Sequence, residues 1–500
     1  MAIDSKHPDY ADMLPDWETM VDTNAGERTI KEKGTLYLSP TAGMNADGMR
    51  LNQPGYNAYI AYKHRARFPD VVGEAVKALL GIMHSKPSKI ELPPAMEKLR
   101  KHATNLGEPL EVLLQRINEA QMVTGRIGLL LDVPTGATVG TLPYIATYEA
   151  QSILNWDDGS FNDDLVNKNL NLVVLDESGM ARDKELEWVF TNKYRALVLG
   201  DLSDNEGAET GALYRVGVFT EETSSLQDTS AMIAPSLGGK TLDFIPFTFI
   251  NASDVVAKPD KPPQLGLAAN ALGIYRGEAD YRQALFMQGQ DTLVLIGSSD
   301  PEMSIRTGAG ASIMIPMGGD AKFIGVDSTG LSEMRQGIEN DKAEAAARSG
   351  NMIDTASRTK ESGDALRIRV VGRTATLTQL AKTGAFGLQQ SLRQIARWIG
   401  ANPEQVIVEP NLDFVNDTLG GKELVEMATA KAMGAPISNV SIHKQMEDKG
   451  MTEMTLEEEL AEIDKEEPFE AATFGGGLPD EEDPEGEKKP DSVEPKKEDE

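Results

Sequence analysis

The sequence predicts an α+β protein made of several structural units, and three observations support this prediction. The chain has 500 residues, which is too many for a single hydrophobic core. Apolar residues recur at helical spacing in the first quarter of the chain, and from residue 125 the spacing changes to that of strands. Helical spacing returns from residue 268. This order, with helices first, then strands, then helices again, is typical of α+β proteins, because α/β proteins alternate helices and strands along the chain.

Composition excludes several kinds of site. The chain has no cysteine, which excludes disulfides, thiol nucleophiles and cysteine-bound metals. No two of its five histidines have metal-ligand spacing such as i, i+4. We therefore expect no metal and no cofactor. No apolar run is long enough to cross a membrane and the N-terminus lacks a signal pattern, which predicts a protein made in the cytosol with no membrane partner.

A formal net charge of −30 limits how the chain can meet nucleic acid. A protein that grips phosphates needs a basic surface. Two interpretations remain: the protein has no nucleic-acid role, or DNA passes it without adhering. Residues 468–500 carry 12 Asp/Glu against 4 Lys and few apolar residues, which predicts a disordered acidic tail. This tail serves solubility or binds a partner, and the sequence does not decide between the two.

The N-terminal part of the chain predicts helices. Residues 13–21, 71–83 and 96–124 have helical apolar spacing. Residues 56–68 interleave tyrosines with basic residues, as in Tyr59, Tyr62 and Lys63. This pattern is typical either of a base-stacking platform or of an amphipathic helix that packs its tyrosines, and the spacing favours the helix.

A change of period from 3.6 to 2 marks the start of a predicted antiparallel sheet. Its strands are expected in residues 125–134, 142–148, 170–176, 186–200 and 212–220, with 243–251 at an edge because of Pro246. Short polar connections favour a meander. Asp157 and Asp158 between two strands resemble a metal-binding pair, but adjacent carboxylates followed by Gly159 favour a turn.

The second half of the chain predicts a helix, an insert, a helix, a polar break and a long helix. A proline-rich connector precedes a helix at 268–289, and 290–330 reads as short strands with glycine turns. Gly308 and Gly310 lie in this insert, but no Lys-Ser/Thr follows them, so a phosphate loop is not expected. Leu331, Met334, Ile338 and Ala345 recur on one face, and this narrow apolar stripe predicts a helix over 331–349.

Residues 350–363 form a polar break, because glycine, serine, threonine and charged residues cluster there without apolar period. A long helix follows over 374–399, ended by Gly400 and Pro403. Beyond it we expect one or two strands in 405–415 and helices at 421–433, 440–449 and 456–467. No nucleophile elbow, Walker sequence, kinase set or dinucleotide fingerprint occurs, so no catalytic residue is expected. An acidic cytosolic hydrolase with an unrecognised site is the alternative.

Several stretches of the sequence carry a family resemblance that covers about residues 5–465. They are "HPDYADMLPDWETMVDTNAGERTIK", "GEAVKALLGIMHSKPSKIELP", "MVTGRIGLLLDVP", "PYIATYEAQSILNW", "KPPQLGLAANALGIYRGEADYRQALF" and "ESGDALRI". With these stretches the chain resembles the portal proteins of tailed bacteriophages, and in particular a portal-like family first catalogued as of unknown function. The resemblance implies a structural protein rather than an enzyme.

The resemblance also implies a division of the chain. Residues 1–267 are expected to form a mixed α and antiparallel-β wing, with the stem helices at 268–289 and 331–349. Residues 290–330 are expected to form a small β-rich clip, and 350–363 the tunnel loop. The long wing helix and the following strands occupy 364–419, a helical crown occupies 420–467, and the acidic tail occupies 468–500.

The partners implied by the resemblance are those of a portal. Such proteins form homo-oligomeric rings, commonly dodecamers, at one capsid vertex of the virion, assembled in the host cytoplasm. Expected partners are the terminase large subunit, the major capsid and scaffold proteins, a head-completion or adaptor protein, and double-stranded DNA passing without sequence specificity during genome packaging and ejection. An acidic channel wall suits that passage, since it repels phosphate.

Two groups of residues are expected to act in such a ring. The DNA-facing group in the tunnel loop consists of Asn351, Arg358, Thr359, Lys360 and Glu361. The partner-docking group in the clip consists of Asp300, Glu302, Arg306 and Lys322.

Overall fold

A computed structural model gives the fold. The structure describes residues 3–134, 140–159, 170–182, 186–200, 213–220, 232–288, 292–296, 318–324, 329–349, 363–414, 421–448, 452 and 454–465. Contacts divide the chain into two compact units, Met1–Phe414 and Val415–Glu500. The boundary between them lies five residues before the region predicted as 420–467. The described residues form helices and antiparallel sheets, which confirms the α+β class.

The first unit begins with a group of helices. They are α1 (Pro8–Ala25), α2 (Glu27–Lys33), α3 (Ala42–Ala46), α4 (Pro54–Arg65), α5 (Val71–Met83) and α6 (Leu110–Val123). His7 starts α1, because its Nδ1 accepts a hydrogen bond from the Asp9 amide at 3.1 Å and Pro8 provides a pre-set first turn. Gly26, at φ +90°, ends α1 in a backbone region that other residues avoid. The apolar sides of α4 and α5 form one core cluster with α7, described below.

Three groups of antiparallel strands follow. The strands are β1 (Lys89–Glu91), β2 (Arg126–Asp132), β3 (Tyr144–Glu149), β4 (Ile153–Asp157), β5 (Leu172–Asp176), β6 (Gly179–Arg182), β7 (Trp188–Thr191), β8 (Tyr194–Leu199), β9 (Tyr214–Phe219) and β10 (Phe247–Asn251). One sheet has the order β10-β2-β3, another the order β4-β5-β8-β9, and β6 pairs with β7 alone. The predicted meander therefore holds for β5, β8 and β9, whereas β4 is a strand where the sequence predicted a connection. The meander is wrong for β2, whose neighbour β10 comes from a distant part of the chain.

The strand predicted over 186–200 is two strands rather than one. Its first half is β7, which folds back on β6, and its second half is β8 in the four-stranded sheet. The break lies at Asn192 and Lys193, where the chain leaves the hairpin and joins the sheet. Both halves are apolar, so period alone gave no sign that one half is exposed.

The rest of the first unit holds two helices with a strand pair between them in sequence, then a long helix. These elements are α7 (Leu265–Gln288), β11 (Thr292–Ile296), β12 (Asp320–Ile324), α8 (Thr329–Arg348), α9 (Gly363–Ile399) and β13 (Ile407–Glu409). β11 pairs with β12, and β13 pairs with β1. The helices predicted at 268–289 and 331–349 are α7 and α8. The long helix begins at Gly363, eleven residues before the predicted start.

The second half of α9 is the internal framework of the first unit. Its apolar residues enter a core cluster with α6, β2 and β10. Gly387 lies so close to β10 that a Cβ there would overlap the Ile250 side chain. Ser391 Oγ donates to Thr248 Oγ1 at 3.1 Å, and Gln389 Oε1 accepts from the Val408 amide at 2.9 Å. The helix is therefore tied both to the three-stranded sheet and to β13.

The second unit is helical in its described part. It contains α10 (Gly421–Ala432), α11 (Asn439–Asp448) and α12 (Leu456–Ile463). Helix α12 starts with a capping box, in which Thr455 Oγ1 accepts from the Glu458 amide while the Glu458 carboxylate accepts from the Thr455 amide. Met433, Val440 and Ile463 are exposed.

Candidate functional site

Helices α7 and α8 lie side by side in opposite directions, and they define the candidate site. Three juxtapositions fix the direction. A Cβ at Gly266 would lie 2.6 Å from Arg348 Nη1, and one at Gly277 would lie 3.3 Å from Ile338 Cγ1. Tyr281 shares a surface groove with Leu331. The start of α7 thus lies against the end of α8, and the end of α7 lies against the start of α8, so the pair is antiparallel. In sequence, β11 and β12 lie between the end of α7 and the start of α8.

The contact side of α8 is the narrow stripe predicted from the sequence. Ile338 and Ala345 are buried, and Leu331 and Met334 are half-buried. The absence of a side chain at Gly277 lets Ile338 approach α7 closely. Among the described elements, α7 is the one with which α8 forms an extensive contact. Away from this stripe α8 is largely exposed, and its exposed charged residues include Glu333, Arg335, Glu339, Asp341 and Glu344.

One buried carboxylate joins the two helices. Glu278 on α7 is 8% exposed and accepts from Arg282 Nε at 2.7 Å and from Lys342 Nζ of α8 at 3.1 Å. Burial raises the pKa of Glu278, but hydrogen bonds from Lys342 and Arg282 outweigh burial and the pKa lies below its ordinary value. The carboxylate is thus ionised when the pair is formed. It acts as a structural link rather than as a proton donor.

The opposite side of α7 is fixed to the N-terminal helices. Tyr275 is fully buried and meets the Phe68 ring edge to face, with centroids 5.9 Å apart. Tyr62 Oη donates to Asp280 Oδ1 at 2.5 Å. Arg276 Nε donates to the Tyr37 carbonyl at 3.0 Å. Helix α7 therefore connects the helical core of the unit to α8.

The last turn of α7 emerges from this core. Leu285, Phe286 and Met287 are exposed. The Arg65 guanidinium of α4 lies 4.2 Å from the centre of the Phe286 ring and donates to Gln283. The chain then continues towards the β11–β12 pair, so α4 supports the base of the segment between the two helices.

The structure describes one of the nine residues predicted to act in a ring. Lys322 lies in β12 with an exposed side chain, and its Nζ is 3.2 Å from Asp320 Oδ2. The other clip residues (Asp300, Glu302 and Arg306) and the whole tunnel-loop group (Asn351, Arg358, Thr359, Lys360 and Glu361) lie outside the described residues. Both groups remain predictions.

Two alternatives left open by the sequence are resolved. Residues 56–65 of this segment fall on α4, where Tyr59 and Tyr62 are buried, so they form a packed helix rather than a stacking platform. Asp157 Oδ1 accepts from the Gly159 amide at 2.9 Å in a turn with Gly159 at φ +66°, so the acidic pair is a turn. Gly308 and Gly310 lie outside the described residues.

Sequence reasoning missed two features near this site. The first is the basic start of α9, where Arg367, Arg369 and Arg373 follow the polar break. Residues 350–374 contain five Lys/Arg against three Asp/Glu in a chain of net charge −30, and a local charge count would have found this. The second is Phe386, an apolar residue of the long helix that is 46% exposed.

No group of three or more His, Asp or Glu side chains able to hold a metal ion occurs among the described residues. No described helix has the length and hydropathy needed to cross a membrane. The helix pair offers charged surface, a fixed internal ion pair and a base for the β11–β12 strands.

Comparisons with known proteins bear on the same part of the chain. Residues 263–399 match a family model described as "Domain of unknown function (DUF4055)". The match runs from two residues before α7 to the end of α9. The predicted resemblance to a family catalogued as of unknown function is confirmed over this segment. A search of curated proteins gave no match.

Solved structures with similarity to the chain come from gene transfer agent (GTA) particles. A chain from the neck of a native particle, computed with C12 symmetry, is 15% identical with a TM-score of 0.38 over 75% of this chain and 89% of that chain. A chain from the neck of an empty particle, computed with C6 symmetry, is 14% identical with a TM-score of 0.39 over 76% and 90%. A chain from the virion of a native particle is 15% identical, with a TM-score of 0.39 over 76% and 89%.

Proposed function

We propose that this chain is the subunit of a portal ring, a head-tail connector at one vertex of a phage-type capsid. The observation that carries the proposal is the antiparallel α7–α8 pair, which has the β11–β12 strands between its helices and the long helix α9 after it. This order is the one implied by the portal-like stretches of the sequence. In a ring, α7 and α8 form the stem and residues 290–330 form the clip.

The distribution of contacts supports this role. Helix α7 is largely enclosed by its own unit up to its last turn, whereas the outer side of α8 is exposed and carries both acidic and basic residues. Side chains such as Arg335 and Glu339 are placed to meet the corresponding helix of a neighbouring copy. A head-to-tail contact of this kind closes into a ring when the rotation per subunit divides the circle. Twelve subunits is the number that the family resemblance implies.

The distribution of charge supports passage of DNA. A strongly acidic wall repels phosphate and prevents the tight, salt-dependent binding that would stop translocation. Residues 350–374 are the exception, since their basic residues outnumber the acidic ones. We place this segment at the channel, where Arg358 and Lys360 make brief contact with the duplex. The clip then serves as the docking site for the terminase motor and for head-completion proteins, and the ring belongs to the virion.

Replacing residues 351–362 by a Gly-Ser segment of equal length tests the channel role, because the length between α8 and α9 stays the same. We expect rings of unchanged mass and a loss of packaged or retained DNA in a packaging assay. A matched control replaces the exposed Asp47 and Arg50, beyond the end of α3, by Asn and Gln and is expected to keep both the rings and the packaged DNA. Collapse of ring assembly in the Gly-Ser variant, or unchanged packaging, would contradict this placement of the segment.

A further inference from the structure

The β6–β7 hairpin carries an apolar face that its own chain leaves uncovered. Residues directly opposite in an antiparallel pair share a face, and Met180 lies opposite Phe190 while Arg182 lies opposite Trp188. Because side chains alternate along a strand, all four project to one side. Trp188 is 64% exposed, Phe190 62% and Met180 57%. The hairpin thus presents two aromatic rings, a methionine and an arginine to the outside.

The base of this hairpin is firmly held, so the exposed face has a defined position. β6 and β7 continue directly from β5 and β8 of the four-stranded sheet. Glu177, just before β6, accepts from Arg195 Nε at 2.6 Å and lies 2.6 Å from Lys193 Nζ. The Lys193 amide donates to Ser178 Oγ at 3.0 Å. A two-stranded hairpin alone is marginally stable in water, which makes an external partner for this face valuable.

An apolar groove of about 440 Å³ lies elsewhere on the same unit, between α9 and the segment after β13. Phe386, the residue of α9 that departs from the buried pattern, is 46% exposed there, and Leu412 is 41% exposed. Val408 and Pro410 also line the groove. Its two charged residues are Lys382 and Glu409, and the Glu409 carboxylate lies 3.5 Å from Lys89 Nζ.

We propose that the β6–β7 hairpin of one subunit inserts its Trp188–Phe190 face into the Phe386–Leu412 groove of the next subunit. The proposal rests on the proposed ring and names one of its contacts. Each copy then offers a projecting surface and, at a separate place, a groove that receives it, and such a pair of different surfaces is what a repeating head-to-tail assembly uses.

Charge identifies the occupant of the groove as a second copy. Copies that each carry a net charge of −30 repel one another, so their contact needs surfaces low in negative charge. The hairpin face has no acidic residue and has one cation, Arg182. The groove has one residue of each sign, and Glu409 is the complement of Arg182. Trp, Phe, Met and Arg are also the residue types enriched at protein interfaces.

The size of the face fits one contact within a larger interface. A buried aromatic side chain removes about 150–250 Å² from water, and a specific interface buries about 800 Å² per partner. The aromatic side chains of Trp188 and Phe190 therefore account for roughly half of the surface area that one partner buries. The remainder belongs to other surfaces of the ring, such as the outer side of α8.

Complementation between two variants of the full chain tests this contact. W188T/F190T removes the hairpin face while keeping strand-forming residues, and F386A/L412S removes the groove lining. We expect each variant alone to lose the ring on mass photometry and to keep its circular dichroism spectrum. An equimolar mixture is expected to form dimers, because one intact hairpin still meets one intact groove. V189T, on the opposite face of the hairpin, is the control and is expected to keep the ring.

The outcomes separate this inference from the proposed function. If the unaltered chain forms rings and W188T/F190T forms the same rings, the hairpin contact is wrong and the portal proposal stands. If both variants lose the ring but the mixture stays monomeric, the hairpin and groove do not meet each other, and the inference is overturned. If the unaltered chain forms no ring under any tested condition, the portal proposal itself fails.

Discussion

The two helices on either side of residues 350–362 differ in how their own chain surrounds them. Leu388, Leu392 and Ile395 of α9 are fully buried, and nearly every side of the helix over 377–398 meets another element. Helix α8 buries one stripe, with Ile338 and Ala345 as its buried apolar residues, and exposes the rest. Over 377–398, α9 is thus enclosed by its own subunit except along a stripe that contains Phe386, whereas α8 is enclosed on one side only.

This difference indicates how much each helix contributes to folding of the subunit. A helix enclosed by its own chain contributes to folding of the subunit, so changes there reduce the free energy of unfolding. A helix with a charged outer side contributes little to folding and much to the surface that other molecules meet. Substitutions in the two helices are therefore expected to separate effects on stability from effects on assembly.

The largest expected effect on stability is at the centre of α9. Leu392→Ala removes a fully buried side chain and leaves a cavity, which costs about 2–5 kcal/mol of unfolding free energy. Met334→Ala in α8 is the matched control and is expected to cost about 1 kcal/mol or less, because Met334 is half-buried. Urea unfolding followed by circular dichroism measures both. Equal losses in the two variants would remove the distinction between the helices.

Glycine substitutions are expected to change stability in opposite directions. A Cβ at Gly387 of α9 would overlap Ile250, so Gly387→Ala is expected to destabilise the protein by about 1–3 kcal/mol. A Cβ at Gly337 of α8 meets no atom within 4 Å, so Gly337→Ala is expected to stabilise it by about 0.5–1 kcal/mol through helix propensity. Thermal unfolding of both variants checks the signs. A stabilising Gly387→Ala would show that α9 is less tightly enclosed than described.

A smaller effect is expected from the ion pair between α7 and α8. Glu278→Gln removes the carboxylate that Arg282 and Lys342 share and is expected to cost about 1–2 kcal/mol. Because the folded-state pKa of Glu278 is lowered, its contribution is complete above the unfolded pKa of about 4.3 and is lost as pH falls through the folded value.

The measurement for this prediction is unfolding of both proteins between neutral and acid pH. The difference between the unaltered chain and Glu278→Gln is expected to shrink at the acid end. Glu333→Gln, which changes an exposed carboxylate of α8, is the control and is expected to have little effect at any pH. A difference that is constant with pH would show that the pKa of Glu278 is the same in the folded and the unfolded chain.

Most elements of this fold could be predicted from the sequence, because their apolar residues recur with a clear helical or strand spacing. The stripe of α8 was predicted residue by residue, and α7, α10 and α11 lie within a few residues of their predicted bounds. The pairing of β2 with β10 was missed, since long-range strand pairing leaves no local signal. The exposed hairpin and Phe386 were also missed, because an apolar residue has the same spacing whether its partner lies in the same chain or in another.

The site could be predicted in part. The helix pair and the segment between its helices follow from helical spacing and glycine turns. The Glu278 link joins residues 64 positions apart, and no spacing rule connects them. The basic start of α9 was visible in the charge pattern, but its three arginines precede residue 374, where the long helix was predicted to begin.

Electron microscopy of the purified full chain, together with its mass in solution, tests whether the subunits assemble into a ring. We expect a closed ring with a central channel wide enough for duplex DNA and a mass that is a whole multiple of 54.2 kDa, twelvefold in the proposed ring. A compact, stable monomer at all protein concentrations would contradict the proposed ring.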